Sequence, residues 1–487
     1  MMFDDILEQI GEGIFQRFAV AVCGMATLAE AIATACVPFA VLLASCDLKL
    51  TPDQMLGLNS IFVVGSAIGG YWLGGVSDAS GRKYILSTTS IITFIGCFVA
   101  SFAQCVIMFY ISLLILGLGI GGNHTATRLF ISEITPKSCR GSRLVVLEIF
   151  FCVGYIIAIG LSCLLVPSTE TGLGGSSVRL NSWRILFGLS GSLSIFSACL
   201  MSVFPASPRW LLGKKQEDEA IDVLRKIYAV NRMKHEESFP IVQLDPITYV
   251  NVRNESGMYQ CSSHFIRTFR CIRIYTRQLF AKKYLKTTVA SLAVSMLLFD
   301  SLVVTNVWLG LTVSSGELTN CTLHAGSPYY VTNLTDFCIT VSSSSSFEVN
   351  VYLSLCSLTA VLMVFPVDKI HRKFILLGSS VIAGVSSIAF VFSPVQNVRL
   401  CFAFTVLSFL FVSEITFRII LLESYPTIFR GTAYGFVKLF ARLFLTFLVV
   451  LLRVSCVWSF VSFGVLFILA GLTSSMLPNH NQEPMED

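Results

Sequence analysis

The chain has 487 residues, 54% hydrophobic and 13% charged, with a formal net charge of +5 and a mean hydropathy of +0.75. A soluble core does not need so much apolar surface, so the composition excludes an ordinary globular protein and points to a bilayer as solvent. The small positive excess reflects an asymmetry between loops and gives no reason to expect a nucleic-acid partner.

Crossing a bilayer takes about 20 apolar residues per helix. Twelve such runs follow one another, near 18–45, 56–76, 84–104, 106–131, 144–166, 184–205, 288–312, 349–367, 374–393, 398–421, 433–452 and 456–477. Acidic Asp4, Asp5, Glu8 and Glu12 precede the first run, where a signal peptide would be basic, and no small-x-small cleavage site follows, so this run is expected to be a span. Lys and Arg collect after the second, fourth, eighth and tenth runs, as Arg82 and Lys83, Lys137, Arg140 and Arg143, Lys369, Arg372 and Lys373, and Arg430. The opposite loops are poor in them, which places both termini and the middle segment in the cytosol.

The expected fold is therefore an all-α membrane protein with twelve transmembrane helices in two six-helix pseudo-symmetric bundles. Residues 1–205 form the first bundle and 206–287 a cytosolic linker with amphipathic helices. Residues 288–477 form the second bundle, with an extracytosolic loop at 313–348, and 478–487 a cytosolic tail.

Within the linker, Ala220, Leu224 and Ile227 share one helical face of 215–231, with Asp and Glu on the other. Arg267, Arg270, Arg273 and Arg277 recur at helical spacing among Phe265, Phe269, Ile272 and Tyr275. They could form a helix lying on anionic lipid; positive-inside charge on a solvated face is the plainer reading. The extracytosolic loop holds the acceptor patterns at Asn320 and Asn333, and Cys321 and Cys338, which an oxidising compartment permits to bridge. The acceptor patterns at Asn123 and Asn254 are expected to be silent, one in a membrane helix and the other in the cytosol. Most of the other cysteines fall in apolar runs, where a thiol serves as a small hydrophobe.

Two signatures repeat at one offset. Glu133-x-x-Pro136-x-x-x-Arg140-Gly141 recurs as Glu423-x-x-Pro426-x-x-x-Arg430-Gly431, and Asp78-x-x-x-Arg82-Lys83 recurs as Asp368-x-x-x-Arg372-Lys373. Both are displaced by 290 residues, which argues for a duplication with the same joints in each half. The glycines of Gly117–Gly122 lie inside an apolar run without a preceding strand, so close helix packing is expected there and not phosphate binding.

The segment Gly74-x-x-x-Asp78-x-x-Gly81-Arg82-Lys83, the doubled Glu-x-x-Pro-x-x-x-Arg-Gly and Ser207-Pro208-Arg209-Trp210 resemble the major facilitator superfamily, in the branch of sugar porters and organic cation transporters. Gly13-Ile14-Phe15-Gln16, Met55-Leu56-Gly57-Leu58, Ser182-Trp183-Arg184 and Val367-Asp368-Lys369-Ile370 are similar to the synaptic vesicle glycoprotein 2 group within it. The resemblance implies a transporter fold and a vesicle membrane, although the plasma membrane is equally compatible with the physics. The chain departs from these patterns at Leu113, Phe151, Ala206, His371 and Arg418; the group's long N-terminal tail is not expected here, and its large luminal domain is expected to be reduced to the short loop at 313–348.

Ionisable residues inside a span cost about 2.5–3.5 kcal/mol each on insertion scales and usually face a partner or water. Glu30, Asp300, Glu414, Arg418, Lys438 and Arg442 are the candidates for a solute cavity, Glu414/Arg418 and Lys438/Arg442 each being four apart on one helix face. The alternative is internal ion pairing without a solute. Arg128 and Glu148 lie nearer helix ends and are read as snorkelling. Asp78, Arg82, Glu133 and Arg140, with Asp368, Arg372, Glu423 and Arg430, are expected to pair across the bundles as a cytosolic gate. No Walker-type loop, metal-ligand cluster or catalytic triad pattern is visible, so no enzyme activity, metal or cofactor is expected. The expected function is alternating-access transport of a small organic solute, charged or zwitterionic, with a coupling ion as an option. The rival is a non-transporting vesicle membrane glycoprotein that binds partners through the same fold. Expected partners are thus membrane lipid and the solute.

Overall fold

A computed structural model describes residues 3–165, 182–214, 216–239, 264–298, 370–393, 395–451 and 456–478, with isolated positions between 355 and 368. Among them the only regular elements are helices. They are α1 (Phe3–Ile10), α2 (Ile14–Leu48), α3 (Pro52–Ser80), α4 (Arg82–Ser101), α5 (Val106–Ile134), α6 (Arg140–Leu165), α7 (Ser182–Ser202), α8 (Pro208–Gly213), α9 (Glu217–Arg232), α10 (His264–Leu279), α11 (Lys282–Leu298), α12 (Arg372–Phe392), α13 (Gln396–Glu423), α14 (Arg430–Leu451) and α15 (Cys456–Ser474), with a short 3-10 turn at Glu236–Ser238. Eight of these, α2 to α7 with α12 and α13, are long and apolar enough to cross a membrane. All six runs expected before residue 205 are thus helices. In the second half the runs near 374–393, 398–421, 433–452 and 456–477 coincide with α12 to α15; those near 288–312 and 349–367 lie largely outside the described residues.

Local chemistry sets the helix ends. Thr51 caps α3 by accepting from the Gln54 amide at 3.3 Å, and the Gln54 side chain accepts from the Thr51 amide at 2.9 Å. Pro52 occupies the first turn, where its missing amide proton costs nothing. Gly81, at φ +101°, makes the sharp reversal from α3 into α4 that a side chain would strain. The starts of α4, α5 and α6 at Arg82, Val106 and Arg140 recur 290 residues on as the starts of α12, α13 and α14 at Arg372, Gln396 and Arg430.

In the first half α2 packs on α6 and α7, while α5 lies between α3 and α4; in the second, α12 packs on α13 and α15. The glycine run of α5 does pack closely, as expected. A Cβ at Gly121 would lie 2.7 Å from the Gly70 amide nitrogen, and one at Gly65 would lie 2.6 Å from the Leu114 carbonyl. The halves meet along α3 and α14 and, more sparsely, along α6 and α13. At the first seam a Cβ on Gly74 would lie 2.8 Å from the Gly431 carbonyl, so the backbones touch where glycine alone allows it.

The linker helix α9 buries Ala220, Leu224 and Ile227, the expected apolar face. Its partner was not expected. Phe3, Ile6, Leu7 and Ile10 of α1 form a small core with Leu224, Ile227 and Phe239.

Candidate functional site

Two polar constellations stand out, one at the repeated joints and one among the spans. At the first joint, Asp78 ends α3 and Arg82 begins α4, four residues apart across the Gly81 turn, with Arg82 Nη2 2.9 Å from Asp78 Oδ1. Arg82 also donates to Glu133 of α5 at 2.9 Å and to the Thr427 carbonyl at 3.0 Å. Asp78 accepts from the amides of Gly431 (3.1 Å) and Thr432 (2.7 Å) and from the Thr432 hydroxyl (2.9 Å). A carboxylate thus caps the N-terminus of α14, where unpaired amides and the helix dipole favour negative charge.

The second joint repeats this arrangement. Asp368 accepts from the amides of Gly141 (3.1 Å) and Ser142 (2.8 Å) and from the Ser142 hydroxyl (2.5 Å), capping α6. Arg372 pairs with Asp368 at 3.1 Å and with Glu423. Each acid therefore caps a helix of the other half. Among these residues the close ion pairs lie within each half; what crosses is a carboxylate on backbone amides, the Arg82 bond to the Thr427 carbonyl and the attraction between Arg140 and Glu423.

Arg140 and Arg430 have further partners, and Arg140 lies within electrostatic reach of Glu423 in the second joint. Arg140 donates to Asp4 of α1 at 2.9 Å, and Arg430 donates to the Tyr425 carbonyl at 2.9 Å. Between α5 and α6, burial and the nearby Glu12 carboxylate push the Cys139 thiol up to about 12. Between α13 and α14, burial raises the Tyr425 phenol above its ordinary value.

Among the spans, Glu30 of α2 lies 2.7 Å from His124 Nδ1, accepts from the Asn123 amide group at 3.2 Å and is 3.9 Å from Arg128. His124 Nε2 lies 3.2 Å from the Tyr434 hydroxyl on α14. Nδ1–H donating to Glu30 and Nε2 accepting from Tyr434 satisfies all three groups. Arg128 donates to Glu148 at 3.0 Å, Arg418 of α13 pairs with Glu148 and with Glu414, both at 3.0 Å, and Lys438 of α14 lies 3.5 Å from Glu414. The polar chain leaves α14 at Tyr434, runs through the first half, crosses to α13 and returns to α14 at Lys438. Every member is buried.

Of the cavity candidates, Glu30, Glu414, Arg418 and Lys438 come together in this chain. Arg442 donates to the Ser66 carbonyl of α3 at 2.8 Å and lies within electrostatic reach of Glu30. Asp300, Asn320, Asn333, Cys321 and Cys338 lie outside the described residues. Arg128 and Glu148 do not snorkel. They are 1% and 3% exposed and sit at the middle of the chain. Asn123, His124 and Tyr434 were missed, although Asn123, His124, Thr127 and Arg128 form a polar stripe at helical spacing inside an apolar run. Asn123 is buried in α5, as its reading as a silent acceptor required. No group of acids, histidines or cysteines placed to hold a metal occurs among the described residues.

The same arrangement of helices recurs in solved structures. The proton:xylose symporter XylE bound to 6-bromo-6-deoxy-D-glucose matches with a TM-score of 0.67 at 17% identity, over 96% of this chain and 97% of that one. The inward-open form of XylE from E. coli matches with a TM-score of 0.58 at the same identity, over 94% and 96%. The profile of the sugar (and other) transporter family matches residues 18–245. Just under half of the chain thus resembles that family, and its fold is the one XylE has. Its sequence relatives include synaptic vesicle glycoprotein 2B of Mus musculus, 30% identical over 230 residues, 47% of this chain and 34% of that protein. Synaptic vesicle glycoprotein 2A of Rattus norvegicus is 28% identical over 230 residues, 47% and 31% respectively. The match thus spans about a third of the length of these relatives. The resemblance read from the doubled joints is the one these comparisons return.

Proposed function

We propose that the protein moves a small charged or zwitterionic organic solute by alternating access between two six-helix halves, and that the repeated joints are its cytosolic gate. The observation that carries this reading is the buried ionic chain that passes from one half to the other and back. Ion pairs out of water are costly unless their geometry is good, and a seam of them between moving bodies is a place where a solute's own charges can substitute for one partner. The closed caps at Asp78 and Asp368 correspond in this reading to a state shut toward the cytosol. XylE is named as a proton symporter, and Glu30 held by His124 is the pair best placed to exchange a proton here. A vesicle membrane is proposed from the names of the relatives, with glycosylation at Asn320 and Asn333 and a Cys321–Cys338 bridge on the opposite side from the gate.

One observation favours the rival, a glycoprotein that binds partners without transport: each acid of the chain already has a cationic or histidine partner within the protein. Uptake into proteoliposomes from a panel of charged organic solutes, with Glu30→Gln and His124→Ala beside the wild type, separates the two. Transport predicts uptake by the wild type and its collapse to background in Glu30→Gln. Absence of both uptake and a solute-dependent thermal shift across the panel would leave the rival standing.

A further inference from the structure

Residues 264–286 hold Arg267, Arg270, Arg273, Arg277, Lys282, Lys283 and Lys286, and not one Asp or Glu. In the fold this stretch is α10, the turn after it and the first residues of α11. Its side facing the protein is apolar and closely fitted. Ile272 is 3% exposed and lies against Gly75 of α3, where a Cβ would come within 2.7 Å of Ile272 Cγ1. The Tyr71 and Thr276 hydroxyls are 2.7 Å apart, and the Trp72 and Phe269 rings are 5.6 Å apart between centroids. At its far end, the Phe280 ring packs edge-on at 5.7 Å against Phe436 of α14. The helix therefore rests on both sides of the α3–α14 seam, alongside the Asp78 cap that closes it.

Its outer side is different. Arg270, Arg273, Arg277, Lys282, Lys283 and Lys286 are exposed. Leu285 stands among them, 42% exposed, and at the edges Phe269 (51%) and Phe280 (49%) leave half of their surface uncovered by Trp72 and Phe436. The other long linker helix, α9, mixes acids with bases and turns its apolar face inward. A surface made only of cations interleaved with bulky apolar side chains matches one environment, the anionic headgroup layer with acyl chains beneath it. A merely solvated positive-inside face explains the cations but not the exposed Phe269, Phe280 and Leu285.

We propose that the outer face of α10 and the start of α11 is a binding site for anionic phospholipid of the cytosolic leaflet, and that an occupied site splints α3 to α14 and so favours the closed gate. The proposal needs these residues to face that leaflet and is independent of whether a solute crosses.

The test uses the full-length protein in nanodiscs of phosphatidylcholine doped with phosphatidylserine, the phosphatidylserine retained after extraction into neutral detergent being quantified. The wild type is expected to retain phosphatidylserine over phosphatidylcholine, and the triple variant Arg270→Gln/Arg273→Gln/Arg277→Gln to lose about a hundredfold of that preference. The control Arg225→Gln/Lys226→Gln on α9 is expected to keep it. Should the triple variant misfold, the wild type alone decides: its preference must fall with rising salt and must resist free glycerophosphoserine. Equal retention by the triple variant, equal loss in the control, salt insensitivity or displacement by the free headgroup each overturns the lipid site. The splint is read separately, from alkylation of a thiol introduced by Ser77→Cys beside the gate. Slower alkylation in phosphatidylserine discs than in phosphatidylcholine discs is expected, and equal rates overturn the splint.

Discussion

Asp78 shows how much one side chain does at a helix end. It receives three donors from the first turn of α14 while pairing with Arg82. The charge of such a cap is worth up to about 2 kcal/mol, so Asp78→Asn should shift the ratio of open to closed states of the proposed gate by up to about 30-fold. Site-resolved alkylation of the Ser77→Cys thiol in that background would measure it, and unchanged accessibility would count against a gate. Cys139 allows a second check. With its thiol pushed up to about 12, little thiolate exists at neutral pH, and the thiolate is the reactive form. Cys139 should therefore alkylate more slowly than exposed Cys105 at pH 7, and the difference should shrink as the pH rises. Asp78 and Arg82 could be read in the sequence because they repeat. His124 could not, because the residue 290 positions on is Glu414 and not a second histidine, and its partners Glu30 and Tyr434 are 94 and 310 residues away.

Among the elements, α1 departs most from expectation. The acids before the first span argued only against a signal peptide. In the fold they sit on or just after a helix and turn toward the joint between α5 and α6. Asp4 is 2% exposed and accepts from Arg140 at 2.9 Å and Arg209 at 2.8 Å. Asp5 pairs with Lys137, Glu8 accepts from the Ser138 amide, and Glu12 pairs with Arg143. The joint they grip is the one whose Gly141 and Ser142 amides receive Asp368. Asp4→Ala would leave two buried arginines without their carboxylate, a loss of about 3–5 kcal/mol, and should lower the melting temperature clearly. Asp5→Ala, at a surface pair worth at most about 1 kcal/mol, should barely move it; equal shifts would show that α1 is not a clamp. The apolar face of α9 was readable from its period alone. The fact that α1 covers it was not, because eight residues are too few for a periodic signal to separate from chance.

At the scale of the molecule, the spans among the described residues were legible because the bilayer imposes length and hydropathy on each helix, and the doubled joints mark helix starts that recur 290 residues on. The pairing inside the central chain was not, since links such as Glu148–Arg418 bridge 270 positions and only packing decides them. The seam itself depends on missing side chains. Gly435 approaches the Tyr71 Cα so closely that a Cβ would stand 2.7 Å from it. Gly435→Leu should force α3 and α14 apart and hold the gate open whatever the state of Asp78, so combining it with Asp78→Asn should add little further accessibility at position 77. Additive effects would mean that the cap and the seam act on separate motions.

The crossed caps carry one more implication. Asp78 of the first half serves Gly431 and Thr432 of the second, and Asp368 of the second serves Gly141 and Ser142 of the first. Reciprocity of this kind, in which residue i meets j and j meets i, is the mark of an isologous dimer. A six-span ancestor bearing one copy of the joint would already have owned both sides of the clasp and could have closed upon its twin. A fusion would then only have tethered a pair that recognised each other. Fragments severed between residues 240 and 263 and produced together should still find one another in the bilayer.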